Sequence, residues 1–186
     1  AIKIGMLFNI PIIKKVAKIL REKEISSIVV DPVMFAKSGD RLLKKEAVQA
    51  IKEDLFPLAT IITPNLLEAE ALLGRSIQSL EAMQQAAVDL CSLGPKAAVV
   101  KGGGLTDSNS DDCLMVRGAR FQWLKQDRLD TQNTHGTGCT FSSAIAAFLA
   151  RSYNLEDAVK EAKIYLTQAL KAGADKNLGH GKGPVM

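Results

Sequence analysis

Ile25-Ser26-Ser27-Ile28-Val29-Val30-Asp31-Pro32 is the stretch on which the fold turns. Its β-branched run predicts a buried strand from Ile25 to Val30, stopped by Asp31-Pro32. Toward the amino terminus, Asn9 is placed to cap a helix with Pro11 in its first turn. Ile12, Ile13, Val16, Ile19 and Leu20 follow at helical spacing. Before them, Ala1 to Phe8 reads as another buried strand, and a chain that opens inside a parallel sheet leads us to expect further sequence before Ala1. Toward the carboxyl terminus, Asp40 is placed to cap a helix reaching about Asp54, with Leu42, Leu43, Ala47, Val48, Ile51 and Leu55 inward. Ala59 to Thr63 predicts a strand stopped by Pro64, and a helix follows from near Asn65 to Gly74. Ser79 caps a further helix that ends before Gly94, and Ala97 to Lys101 is a strand followed by Gly102-Gly103-Gly104. Cys113 to Val116 and Ala119 to Lys125 predict a hairpin turning at Arg117-Gly118. Asp127 to Asn133 is a loop or short strand. Helices follow from Gly138 to about Ser152 and from about Leu155 to Gly173, ahead of a Gly-rich tail.

This order is β-α-β-α-β-α-α-β, then a hairpin, then two helices. It predicts an α/β fold with a mostly parallel sheet covered by helices on both faces. Ligands of such sheets bind beyond the carboxyl ends of the strands. Four places qualify: Met6 to Asn9, Asp31 to Gly39, Thr63 to Glu68 and Lys101 to Gly104.

Composition narrows the function. A length of 186 residues fits one domain, and 47% hydrophobic with 24% charged residues argues against disorder. No apolar run is long enough to span a bilayer, and nothing near Ala1 reads as a secretory signal, so no membrane partner is expected. A net charge of +4, spread along helices, with 5% aromatic residues, argues against nucleic acid. Three cysteines, Cys91, Cys113 and Cys139, and two histidines lack the spacing of a disulfide framework or zinc site. Reduced thiols and a cytoplasmic location, or an organelle stroma, are expected.

The chemistry concentrates in Thr134-His135-Gly136-Thr137-Gly138-Cys139-Thr140. Two glycines allow a sharp turn, and the helix that follows directs its first N–H groups and positive dipole end at one point. That is an anion hole, though neither a Walker A loop nor a dinucleotide fingerprint. The plainer alternative is a helix capped after a Gly turn. At the helix start a Cys139 thiol is expected to favour the thiolate, suited to accepting a substrate proton; otherwise it is a small buried residue. Cys91 and Cys113 are assigned to packing. Asn65-Leu66-Leu67-Glu68 either holds Mg²⁺ through water or simply forms a capping box, and both can hold together. Asp31 can serve a phosphate-bound cation or an Asp-Pro turn, and Lys101 can reach a phosphate or sit at the surface. His135 can bond a nucleotide or cap the loop.

Taken together, Val30-Asp31-Pro32-Val33-Met34 with Ala36-Lys37-Ser38-Gly39, Ile62-Thr63-Pro64-Asn65 with Glu68-Ala69-Glu70, Val100-Lys101-Gly102-Gly103 and Asn133 to Thr140 resemble hydroxymethylpyrimidine/phosphomethylpyrimidine kinase of thiamine biosynthesis, in the ribokinase superfamily. The opening Lys3 to Leu7 and the closing Gly179-His180-Gly181 with Gly183-Pro184-Val185 also fit. The resemblance implies a three-layer ribokinase-like domain over residues 1–186, short of the family's amino-terminal part. It implies ATP and Mg²⁺ as cofactors and a small pyrimidine alcohol as substrate, with a homodimer as the common assembly. Carried over, Cys139 is the base and Gly136, Thr137 and Gly138 the anion hole. Asp31, Asn65 and Glu68 attend the metal. Lys101, Thr131, Thr134 and His135 contact the nucleotide, and Met6 and Val33 line the substrate. Gly104, where the family usually has His, and the polar loop with Asp107, Asp111 and Asp112 depart from the pattern. A pyridoxal kinase of the same branch and an inactive nucleotide-binding or regulatory module are the alternatives.

Overall fold

Successive residues of the strands face opposite ways, and each side meets its own core. Ile28, Val30, Ile62, Ala98 and Val100 join one, and Val29, Ile61, Ala97, Val99 and Leu114 the other. In this computed structural model, which describes residues 1–36, 39–105, 109–178, 180–181 and 183–186, six strands form one sheet. They are β1 (Ile2–Ile4), β2 (Ile28–Val30), β3 (Ile61–Ile62), β4 (Ala97–Lys101), β5 (Asp112–Val116) and β6 (Gln122–Leu124). They lie in chain order. The first four are parallel, and β5 and β6 extend the sheet antiparallel.

Crossovers of one hand between adjacent strands stack their helices on one face. These are α1 (Ile10–Glu22), α2 (Ala47–Ala50), α3 (Leu66–Leu73) and α4 (Leu80–Ser92). The other face is covered by α5 (Thr137–Ala150) and α6 (Leu155–Gly173), which pack against each other, with α5 lying on β1 and β2. The expected three layers are present, and the four parallel strands end on one edge, beside the start of α5. No described helix is long and apolar enough to cross a membrane.

Local signals explain most of the boundaries. The side chains of Asn9, Asn65, Ser79 and Asn154 each accept a backbone N–H from the first turn of their helix. Gly74 closes α3 in the left-handed conformation. Cys91 and Cys113 are buried, as packing residues should be.

Three expectations are corrected. The helix expected from Asp40 begins only at Ala47 and widens into a π-helical turn at Ile51–Leu55. Ahead of it the chain doubles back: Phe35 pairs with Arg41, and the N–H of Ala36 reaches the Asp40 carbonyl at 2.8 Å. Leu43 enters the core from this turn, whereas Leu42 stays partly exposed. In α1 the buried stripe is Ile13, Ala17 and Leu20, while Ile12 and Ile19 are exposed, because a stripe of 3.6-residue period cannot hold all five apolar positions. The strands expected at Ala1–Phe8 and Ile25–Val30 shorten to the three residues each that pair, Ile2 with Ile28 through Ile4 with Val30. The motif residues Lys37, Ser38 and Gly179, and Asp107 of the polar loop, lie outside the described residues.

Candidate active site

Asp31, directly beyond β2, is buried and gathers four elements. Its N–H bonds the Ile4 carbonyl at 2.9 Å. Its Oδ1 accepts Lys101 Nζ at 3.0 Å from the end of β4 and Thr63 Oγ1 at 3.1 Å from the end of β3. Ser142 Oγ of α5 stands 3.2 Å from Oδ2. The expected edge of the sheet therefore does collect Asp31, Thr63, Asn65, Glu68 and Lys101.

Asn65 and Glu68 form a reciprocal capping box. Glu68 N–H reaches Asn65 Oδ1 at 2.9 Å, and Asn65 N–H reaches Glu68 Oε2 at 2.8 Å. The helix-capping reading is thus satisfied by geometry. Asn65→Ala should cost about 1 kcal/mol, seen as a lower unfolding midpoint in urea.

Burial pushes the Glu68 carboxyl above its ordinary value, and the Lys101 ammonium only partly opposes this. Burial pulls Lys101 down, but Asp31 and Glu68 more than offset it, so its pKa stands above the usual lysine value. A raised carboxyl stabilises the fold below its unfolded pKa and loses that contribution as pH rises through the folded one. Glu68→Gln keeps an acceptor for the Asn65 N–H and removes the buried charge. It should therefore match or exceed the parent's thermal stability at pH 7, with the gain vanishing as pH falls toward 4. Melting curves of both proteins across that range check the sign; a variant less stable at pH 7 would refute it.

The expected anion hole falls at the start of α5. Gly136 sits at φ 83°, where a side chain would be strained, and turns the chain into the helix. Thr140 N–H, the first intrahelical donor, bonds the Gly136 carbonyl at 2.8 Å, and Thr137 N–H reaches back to the Thr134 carbonyl at 3.4 Å, which leaves the N–H groups of Gly136, Gly138 and Cys139 ahead of the helix ladder. Thr137 Oγ1 braces the turn on the Thr134 carbonyl at 2.5 Å. Close approach matters at Gly138: a methyl group there would stand 3.2 Å from Lys101 Nζ. An ammonium, a helix dipole and free amides thus converge on one point, suited to a phosphoryl group.

The turn separates two hollows. On one side Thr137 and Gly138, with Asn65, Lys101, Asp112 and Lys163, line a cavity of about 380 Å³. It shares walls with a second of about 280 Å³ that takes in Thr131 and Thr134. On the other side the exposed Cys139 lines a groove with Thr140, Ser143, Phe148, Arg151 and Tyr165. Two of the remaining site residues lie apart from these hollows. Met6, half-exposed, and Val33, partly buried, stand beyond the ends of β1 and β2. His135 has an exposed side chain, and its backbone pairs with the tail at Pro184.

Sequence reasoning gave no role to four polar residues here. Thr63 and Ser142 orient Asp31, and a strand-end Thr and a Ser one turn beyond Gly138 were the available signals. The other two, Asp112 and Lys163, form a buried ion pair at 2.6 Å. Asp112 Oδ1 also accepts the Gly102 N–H at 3.0 Å, and Lys163 also donates to the Ser110 carbonyl at 2.7 Å. Their signal was a lysine on the apolar stripe of Val159, Ala162 and Leu166.

The donors bear on a metal. Among the described residues no three His, Cys, Asp or Glu side chains come together for direct ligation. Asp31 is taken up by Lys101, Thr63 and Ser142, and Glu68 Oε2 by Asn65. Such a set suits a divalent ion that keeps its water shell.

Comparison with known proteins gives the family. Residues 1–186 match the family model for phosphomethylpyrimidine kinase. The hydroxymethylpyrimidine/phosphomethylpyrimidine kinase of Haemophilus influenzae is 45% identical over 187 residues, covering 98% of this chain and 68% of that protein. The thiamine biosynthesis bifunctional protein ThiED of Geobacter sulfurreducens is 45% identical over 184 residues, which is 99% of this chain but 37% of that one. An ADP complex of Bacillus subtilis pyridoxal kinase superposes with a TM-score of 0.91 at 38% identity, covering 100% of this chain and 69% of the other. The chain therefore spans 68% of the Haemophilus kinase and little more than a third of the bifunctional protein.

Proposed function

The chain belongs to the phosphomethylpyrimidine kinase family, and from that premise we propose that it moves the terminal phosphoryl group of ATP to a pyrimidine alcohol. The acceptor we infer is 4-amino-5-hydroxymethyl-2-methylpyrimidine and then its monophosphate, in thiamine biosynthesis. The observation that carries this reading is the close approach of Lys101 Nζ to Gly138 at the start of α5, in the wall between two hollows.

Phosphoryl transfer is mostly positioning and charge stabilisation. The N–H groups of Gly136, Gly138 and Cys139 receive the charge that develops on the moving oxygens, Thr137 braces the turn that presents them, and Lys101 adds a positive charge fixed by Asp31. Thr131 and Thr134 face the nucleotide cavity. Cys139, on the groove side, accepts the proton of the attacking hydroxyl. Asp31, Asn65 and Glu68 would hold Mg²⁺ through its waters, and the ion supplies neutralisation of phosphate charge. Met6 and Val33 mark the strand ends over which the acceptor lies. A homodimer in the cytoplasm completes the reading.

Incubation with ATP and Mg²⁺ tests it, with the hydroxymethylpyrimidine, its monophosphate and pyridoxal as separate acceptors. Faster phosphorylation of the two pyrimidines is expected. Preference for pyridoxal would favour the pyridoxal kinase reading, toward which the Bacillus structure points, and nucleotide binding without transfer to any acceptor would leave a binding module.

A further inference from the structure

The carboxyl-terminal residues Gly183–Met186 run beside the segment that leads into the anion hole. His135 N–H donates to the Gly183 carbonyl at 3.0 Å, and the His135 carbonyl accepts Val185 N–H at 3.1 Å. Both backbone groups of the residue before Gly136 are thereby fixed by the tail. Asn133, buried two residues earlier, is the pin. Its amide NH₂ donates to the Gly173 and Lys176 carbonyls, each at 2.6 Å, and more weakly to that of Ala174 at 3.3 Å, at and just beyond the end of α6. Its Oδ1 accepts Gly183 N–H at 3.1 Å. One side chain therefore joins the end of α6, the tail and the turn, and its donors and acceptor are each matched. A methyl group on Gly183 would stand 2.2 Å from Asn133 Oδ1, so no larger residue fits without moving the pin.

We propose that this tail is a clasp that sets the anion-hole turn, with Asn133 as a positioning residue for phosphoryl transfer. The proposal rests on the kinase reading for its catalytic consequence. The amides of Gly136, Gly138 and Cys139 stabilise charge only if held where the charge develops, and a displacement near 1 Å costs roughly a hundredfold in rate. The clasp supplies that hold from outside the helix, since Gly136 has no side chain with which to cap it.

Gly183→Ala and Val185→Pro test the clasp. The first displaces the pin; the second deletes one tail hydrogen bond at a partly exposed site and covers the case in which the first fails to fold. Amide hydrogen exchange is measured at His135 and Thr140, each hydrogen-bonded, with Ala147 in mid-α5 as reference. We expect about tenfold faster exchange at the first two and none at Ala147. We expect kcat to fall roughly 10–100-fold while KM for ATP stays within about threefold. Unchanged exchange in a folded variant overturns the clasp, and faster exchange with unchanged kcat overturns its positioning role. If the parent chain itself transfers no phosphate, the kinase reading fails, while the exchange result still decides the clasp.

Discussion

Cys139→Ala is expected to lower turnover by roughly 10²–10⁴-fold while ADP affinity changes no more than a few-fold. The size follows from what a positioned base contributes to a proton transfer, and the selectivity follows from placement. Thr137 and Gly138 of the same turn line the cavity assigned to the nucleotide, whereas Cys139 lines the groove behind it. The thiol is exposed, so its removal leaves no core cavity, and stability should move by no more than about 0.5 kcal/mol. A fall in rate would therefore not be a folding defect. Steady-state kinetics at saturating ATP, with calorimetric ADP binding alongside, settle the assignment. Parent-like kcat removes Cys139 from the base role.

The largest stability effect is expected at Lys163→Met. The variant leaves Asp112 buried without its partner, and such a loss typically costs about 3–5 kcal/mol. For a chain of this size that is a drop of roughly 6–20 °C in melting temperature. Burial already pushes the Asp112 carboxyl upward, with Lys163 as the main opposing charge. Without Lys163 the carboxyl must rise further, so the variant's deficit should shrink as pH is lowered and the group takes up a proton. Asp112→Asn combined with Lys163→Met should recover part of the loss, since neither charge is then stranded. Melting curves of the three proteins from pH 5 to 8 decide it, and a deficit independent of pH would mean that packing, not charge, holds this pair.

How much of this was legible differs by residue. The layers were, because β-branched runs alternate with helical spacing and each crossover between parallel strands leaves one choice of side. The turn at Gly136 into the helix that starts at Thr137 was legible as well, since two glycines before an apolar run mark a sharp helix entry. The Asp40 segment was not. Asp before Leu-Leu satisfies a helix-start rule, but the pairing of Phe35 with Arg41 is a local tertiary preference that no period reveals. Asp112 and Lys163 were given no role for a related reason. Each reads as a surface charge until the hairpin register sets Asp112 against Lys101 and α6 lays Lys163 over it. Asn133 stood in plain view within the motif, yet the four partners of its side chain come from the far end of the chain.

Ser142 and Asp31 touch across 111 positions of sequence, while the sheet between them is laid down neighbour by neighbour. The strand ladder can thus assemble through shorter loop closures than the reactive corner, whose longer loop carries the larger closure entropy and is closed last. Under mild denaturant the same corner should be the first foldon to release. Catalysis would then fade at urea concentrations where far-ultraviolet dichroism still reports an intact sheet.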